Sequence, residues 1–138
     1  MSCGVINLSR TIKHNEVLGR QVEEMVAKDY PGSTRPHQYT HGPYDIETPT
    51  LLIEVKSCQV KTKNRKRRKN EKDVFREGRF SILFDSHERL REIAKETGKQ
   101  PRYVFILYEP ENIEKYYVAR AELSWEQVDQ VLRKLSAW

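Results

Sequence analysis

Residues 102–108, "RYVFILY", set six apolar or aromatic side chains in a row behind one arginine. The run is far too short to span a membrane, and it lacks the alternation of a half-solvated strand. It therefore reads as a central strand buried on both faces. Such a strand needs helices packed on each side of its sheet, which predicts a mixed α/β architecture. The other periodicities agree. Residues 14–28, "HNEVLGRQVEEMVAK", put Leu18, Val22, Met25 and Val26 on one helical stripe, and Asn15 can cap the start. "TLLIEVKS" (50–57) alternates as a strand, with Leu51, Ile53 and Val55 on one face and Leu52, Glu54 and Lys56 on the other.

Shorter segments complete the order. Residues 35–40 and 44–47 read as two short strands, the second ending near Thr48-Pro49, and "GRFSILF" (78–84) reads as extended chain. A helix over 86–97 follows, with Asp85 and Glu88 as a capping box, Leu90, Ile93 and Ala94 as its apolar stripe and Gly98 at its C-cap. "YYVARA" (116–121) is a further strand. "SWEQVDQVLRKLSAW" is a closing helix, with a Ser124/Gln127 capping box and Val128, Val131, Leu132 and Leu135 on one face. The expected α/β fold is thus a mixed central sheet flanked by helices, in α-β-β-β-α-β order plus a C-terminal strand and helix. Residues 1–138 are read as one domain.

Charge is distributed unevenly. The whole chain carries +5, yet residues 61–72, "KTKNRKRRKNEK", carry +7 alone, so the remainder is slightly acidic. A basic loop at about 60–73 suits a polyanion such as nucleic acid; a solvated loop or a localisation signal would have the same composition. No stretch approaches the ~18 apolar residues of a membrane span, and "MSCGVINLSRTIKH" lacks the apolar core of a secretory signal. Cys3 and Cys58 form neither a disulfide framework nor a paired zinc motif, so an intracellular setting, cytoplasm or nucleoid, is expected.

Glu54 and Lys56 are the anomaly of the best strand. Buried charges are unfavourable unless paired or used. Two residues apart on one strand is ~7 Å, which suits convergence on a third object better than a tight ion pair. Asp45, at the neighbouring strand, can bring a second carboxylate there. Hard oxygen donors of this kind hold Mg²⁺, and a lysine beside them can orient a water or offset charge on phosphorus. The alternative is a pair that stabilises an exposed sheet face.

"PYD" (43–45), eight residues and then "EVK" (54–56) resembles the PD-(D/E)xK nuclease superfamily, although here Tyr44 intervenes between Pro43 and Asp45. No other Lys in the chain has an acidic residue two positions before it. The layout of "GRQVE" in the first helix, the basic stretch after the E-V-K strand and the helix and strand that follow are most similar to archaeal-type Holliday-junction resolvases. The resemblance runs over about residues 14–108. It implies a restriction-endonuclease-like core in which Asp45, Glu54 and the Val55 carbonyl bind Mg²⁺ (or Mn²⁺), Lys56 positions the attacking water, and Glu23 is a further acidic residue at the metal. Glu24 lies nearly opposite the apolar stripe, whereas Glu23 lies at its edge. The implied function is Mg-dependent hydrolysis of DNA phosphodiesters, structure-selective on branched DNA, by a homodimer with two sites. The alternatives are a sequence-specific restriction-type or repair endonuclease and an inactive nucleic-acid-binding module of the same fold. Thr40 is the nearest counterpart of a hydroxyl that resolvases carry before the Asp, and RNA remains open as a substrate.

Lys61, Lys63, Arg65, Lys66, Arg67, Arg68, Lys69, Arg76 and Arg79 are the candidate phosphate contacts, giving affinity and salt dependence but not sequence reading. His37 and His41 lack the further ligands that zinc needs, and Cys58 lacks a histidine partner in sequence. Tyr30, Tyr39, Tyr44, Trp125 and Trp138 read as core or interface residues rather than base-stacking platforms.

Overall fold

The computed structural model describes residues 19–37, 42–63, 75–109 and 118–136, with backbone alone at 61–63, 75–77 and 136. Helix α1 occupies residues 19–27. Strands β1 (Ile46–Glu47), β2 (Leu51–Gln59), β5 (Gln100–Tyr108) and β6 (Ala119–Ser124) form a four-stranded sheet in the order β1-β2-β5-β6. The inner pair β2·β5 is parallel and both outer pairs are antiparallel. Helix α2 (Phe84–Thr97) lies in the crossover that leads to β5, and α3 (Trp125–Ser136) follows β6 directly. This is a mixed α/β sheet flanked by three helices, as the apolar run at 102–108 requires.

Two cores form because β2 and β5 send alternate residues to opposite faces. On one face Ile53, Val55, Val104 and Ile106 meet Val22 and Val26 of α1 and Ile46 of β1. On the other, Leu52 and Tyr103 meet Leu90 and Ala94 of α2 and Trp125 and Val128 of α3. Full burial of a Val, Leu or Ile side chain stabilises by ~1.5–3 kcal/mol, so the pairing register is fixed: a one-residue slip would send Glu54 into the α1 core.

The link between β1 and β2 is short because Thr48 closes it. Its Oγ1 accepts from the Thr50 and Leu51 amides and its own amide donates to the Leu51 carbonyl at 3.0 Å. The expected strand at 35–40 does not form among the described residues. A single antiparallel bridge joins Thr34 to Glu47 instead, with Pro36 two residues on; residues 38–40 lie outside the described part. The basic loop also begins differently. Lys61–Lys63 (β3) pairs with Phe75–Glu77 (β4) as a two-stranded ladder. Residues 64–74 lie outside the described part.

Helix ends show where local chemistry decides. The Ser124/Gln127 box forms in both directions: the Ser124 amide donates to Gln127 Oε1 at 2.9 Å and the Gln127 amide to Ser124 Oγ at 3.2 Å. The Asp85/Glu88 box does not form. Residues 78–83 are irregular, α2 starts at Phe84, and Leu83 stands at the N-cap with no side-chain bond. Asp85 then falls in the first turn, where its charge still favours the helix dipole, and Glu88 pairs with Arg91. Gly98 ends α2 in the left-handed region at φ 70°, with its amide bonded to the Ala94 carbonyl. No helix among the described residues is long and apolar enough to cross a membrane.

Candidate active site

Asp45 sits where the β1–β2 ladder stops. Its amide donates to the Ile53 carbonyl at 2.8 Å, and its Oδ2 accepts the Val55 amide at 2.8 Å. A continuing ladder would give that amide a backbone partner; here a carboxylate takes its place, and the strands part. Within a strand the N–H and C=O of one residue face the same edge. The Val55 carbonyl therefore faces the gap that Asp45 opens.

Glu54 lies beside this gap on the α2/α3 face, with Tyr103 of β5 as its cross-strand neighbour. It is half-buried, yet desolvation is the largest influence on it. Desolvation, a hydrogen bond to Asp45 and repulsion from Asp45 and Glu23 outweigh attraction to Lys56, and push its carboxyl up to about 10. Glu23 reaches the same place from α1. Desolvation and the nearby Asp45 push it up to about 7, against the lowering effect of Arg35. Glu24 is exposed. Three carboxyl groups and one lysine are thus gathered at the end of β1, where their ionised forms repel one another.

That repulsion is a test of fit for a divalent cation. The donors are hard oxygens, two carboxylates and a strand carbonyl, and they are short of positive charge. Among the described residues no group of three His, Cys, Asp or Glu closes into a preformed metal cage. An ion of the magnesium type does not need a cage: it binds through one or two carboxylates and keeps several waters. Asp45, Glu54 and Val55 fit that demand, with Glu23 at the margin.

Arg35 belongs to this cluster and the sequence did not single it out. Its Nη2 donates to Glu23 Oε2 at 3.0 Å, and its Nε is buried with no hydrogen-bond partner among the described residues. The signal available beforehand was slight: one arginine in "GSTRPH", a loop with no periodicity.

The remaining candidates are dispersed. Arg79 is exposed just after Gly78, which packs so closely on the Gln59 carbonyl that a Cβ would lie 1.7 Å from it. Lys61, Lys63 and Arg76 lie on the β3–β4 ladder, whose side chains are outside the described part, as are Arg65, Lys66, Arg67, Arg68 and Lys69. His37 stacks edge-on against Tyr44 at 4.9 Å, while Tyr39, Thr40, His41 and Trp138 lie outside the described residues. Cys58 is a buried free thiol whose own titration is pushed up by burial, the opposite of an activated nucleophile. Tyr30 donates to Glu122 at 2.7 Å, and Trp125 is buried in the second core.

No curated protein and no solved structure matches this chain. One family model does, over residues 9–138; its description is PD-(D/E)XK nuclease superfamily domain.

Proposed function

Because this chain belongs to the PD-(D/E)XK nuclease superfamily, we propose that it is a metal-dependent endonuclease that hydrolyses DNA phosphodiester bonds, with branched DNA as its preferred substrate. The observation that carries the reading is the meeting of Glu23, Asp45 and Glu54 beside Lys56, with two of the three carboxyls pushed well above the usual range. Charge-poor carboxylates of this kind are a demand for a cation. Asp45, Glu54 and the Val55 carbonyl hold Mg²⁺, or Mn²⁺ in its place. The ion supplies Lewis-acid polarisation of the phosphoryl group and a more acidic bound water.

The chain's own residues do the rest. Lys56 projects from the same face of β2 as Glu54 and orients the attacking water, with its ammonium offsetting charge that grows on the phosphoryl oxygens. Asp45 stays fixed by the Val55 amide. The basic segment, +7 over residues 61–72, grips the phosphate backbone from the strand that leaves Gln59. An apolar groove of about 230 Å³ between residues 80–82 and α3, with Val131 and Leu135 exposed, suits a second copy, and a homodimer would bring two sites to one junction. The setting proposed is intracellular.

The deciding experiment is cleavage of labelled four-way junction, flap, plain duplex, single-stranded DNA and RNA, with Mg²⁺ and with EDTA, by wild type and Lys56→Ala. Metal-dependent cutting of the junction, reduced ~10²–10⁴-fold in the variant, is the expected result. Cutting of plain duplex at fixed sequences would replace the branched-DNA reading with a restriction-type one. Salt-sensitive binding with no cleavage by wild type would make the chain a binding module.

A further inference from the structure

Among the described residues, His87 is the polar side chain that burial removes completely from solvent. Nothing in the proposed reaction uses it. Both its ring nitrogens are engaged: Nδ1 lies 2.8 Å from Tyr103 Oη and Nε2 lies 3.1 Å from Asp129 Oδ1. The Asp129 carboxylate places the proton on Nε2, so Nδ1 accepts from the Tyr103 hydroxyl. Asp129 is itself held by Arg133 Nε at 2.7 Å. Trp125 stacks on the imidazole at 4.1 Å and 6°, and its Nε1 donates to the His87 carbonyl at 2.8 Å. Arg91 covers the Trp125 ring at 5.0 Å.

This line crosses three elements, from α3 through α2 to β5, and it ends at one particular strand position. Tyr103 is the cross-strand partner of Glu54, on the same face of the sheet. A histidine, a phenol and a carboxylate in an apolar layer are a demanding way to fill space, since a half-satisfied set costs more than hydrocarbon of the same shape. Leu52, Leu90 and Val128 around them show what ordinary filling looks like here. The polar line is placed behind the one carboxylate that the strand carries, the half-buried Glu54.

We propose that Asp129, His87 and Tyr103 form an outer support for Glu54, holding that carboxylate in place for a divalent cation from the α2/α3 side that they share with it. The inference rests on the metal-dependent reading given above. Tyr103 is the cross-strand wall beside which Glu54 stands in the pairing register. His87 fixes where that wall stands and turns the phenol hydrogen away from Glu54, so that both carboxylate oxygens stay available as acceptors. Asp129 fixes the ring of His87. The three are positioning residues, and α3, which comes after the core order of elements, thereby has a part in the site.

The test is Mn²⁺ binding to the full-length chain, by calorimetric titration, in wild type, Tyr103→Phe, His87→Leu and the double variant. Outer partners of metal ligands change affinity by roughly 10–100-fold. Each single variant is expected to weaken Mn²⁺ at least ~10-fold, and the double variant to lose little more than either, because the residues act in one line. Ser124→Ala, which lowers stability at the start of α3 but removes no atom that bonds His87, Tyr103 or Asp129, serves as a control and is expected to bind Mn²⁺ as wild type does. If His87→Leu does not fold, Tyr103→Phe, which removes one oxygen, carries the test. Affinity within twofold of wild type in Tyr103→Phe overturns the proposal, and so does an equal loss in Ser124→Ala. A wild type that binds no Mn²⁺ overturns the metal reading and this inference with it, whereas a metal-binding wild type with unchanged variants overturns the inference alone.

Discussion

Glu54 occupies a place where ionisation is unfavourable until something positive arrives. Replacing it with Gln keeps the shape and removes the charge. Glu54→Gln is expected to melt several degrees above wild type in metal-free buffer at pH 8 and to lose cleavage when Mg²⁺ is supplied, a trade of activity for stability checked by thermal melts and the cleavage assay together. Arg35→Gln is expected to act in the opposite sense. It leaves Glu23 without its guanidinium and should weaken divalent-metal binding, while Arg35→Lys restores only part of the effect because the planar fork is lost. A titration with Mn²⁺ reads both. Glu54 and Lys56 could be picked out from the chain because strand alternation assigns faces without any knowledge of the fold, and Asp45 by its spacing from them in the motif. Arg35 could not, because a side chain on an irregular loop acquires its partner only when α1 and the loop meet in space.

Among the elements, the two helix starts teach the same lesson from opposite sides. Ser124 and Gln127 sit at a boundary that β6 sets, since the strand ends at Ser124 and the cap is already at the right residue. Ser124→Ala should cost ~1 kcal/mol of stability, measurable by urea unfolding. Asp85 and Glu88 have the same spacing and fail, because Phe84 is drawn into the helix and shifts the boundary past them. Spacing was readable; the boundary was not, because the helix starts on Leu83 and Phe84, exposed apolar residues with no capping side chain to mark it. The strands follow this pattern. The 50–57 and 102–108 segments carried enough apolar residues to fix their place, whereas 35–37, with a proline and polar residues, form no strand, and Thr34 just before them makes a single bridge. The β3–β4 ladder escaped notice because its residues are mostly charged.

At the level of the whole molecule, pH and salt are the levers. The Glu23 and Glu54 carboxyls are raised in the folded protein, from the ordinary value of 4.5 to about 7 and about 10. Between the ordinary value and these, the folded state holds more protons than the unfolded one. Their contribution to stability is therefore complete below about pH 4.5 and is lost as pH rises through 7 toward 10. Metal-free protein should melt at progressively lower temperature from pH 6 to pH 9, and saturating Mn²⁺ should flatten the profile. Salt tests the basic segment: neutralising Arg65, Lys66, Arg67 and Arg68 should lower the slope of log K against log salt by up to ~3.5 for duplex binding. Lastly, the ladder that bears this segment is clamped at its root. The Val60 amide bonds to the Tyr108 carbonyl at 3.0 Å, the Gly78 amide bonds to the Val60 carbonyl at 3.2 Å, and Lys63 faces Phe75 across the last pair. Whatever lies between residues 63 and 75 starts and finishes at neighbouring points, and lengthening such an insert costs only ~0.6 kcal/mol per doubling. The segment is a natural graft site: evolution or an engineer can exchange it for another module while Asp45, before β1, and Glu54, on β2, stay where they are.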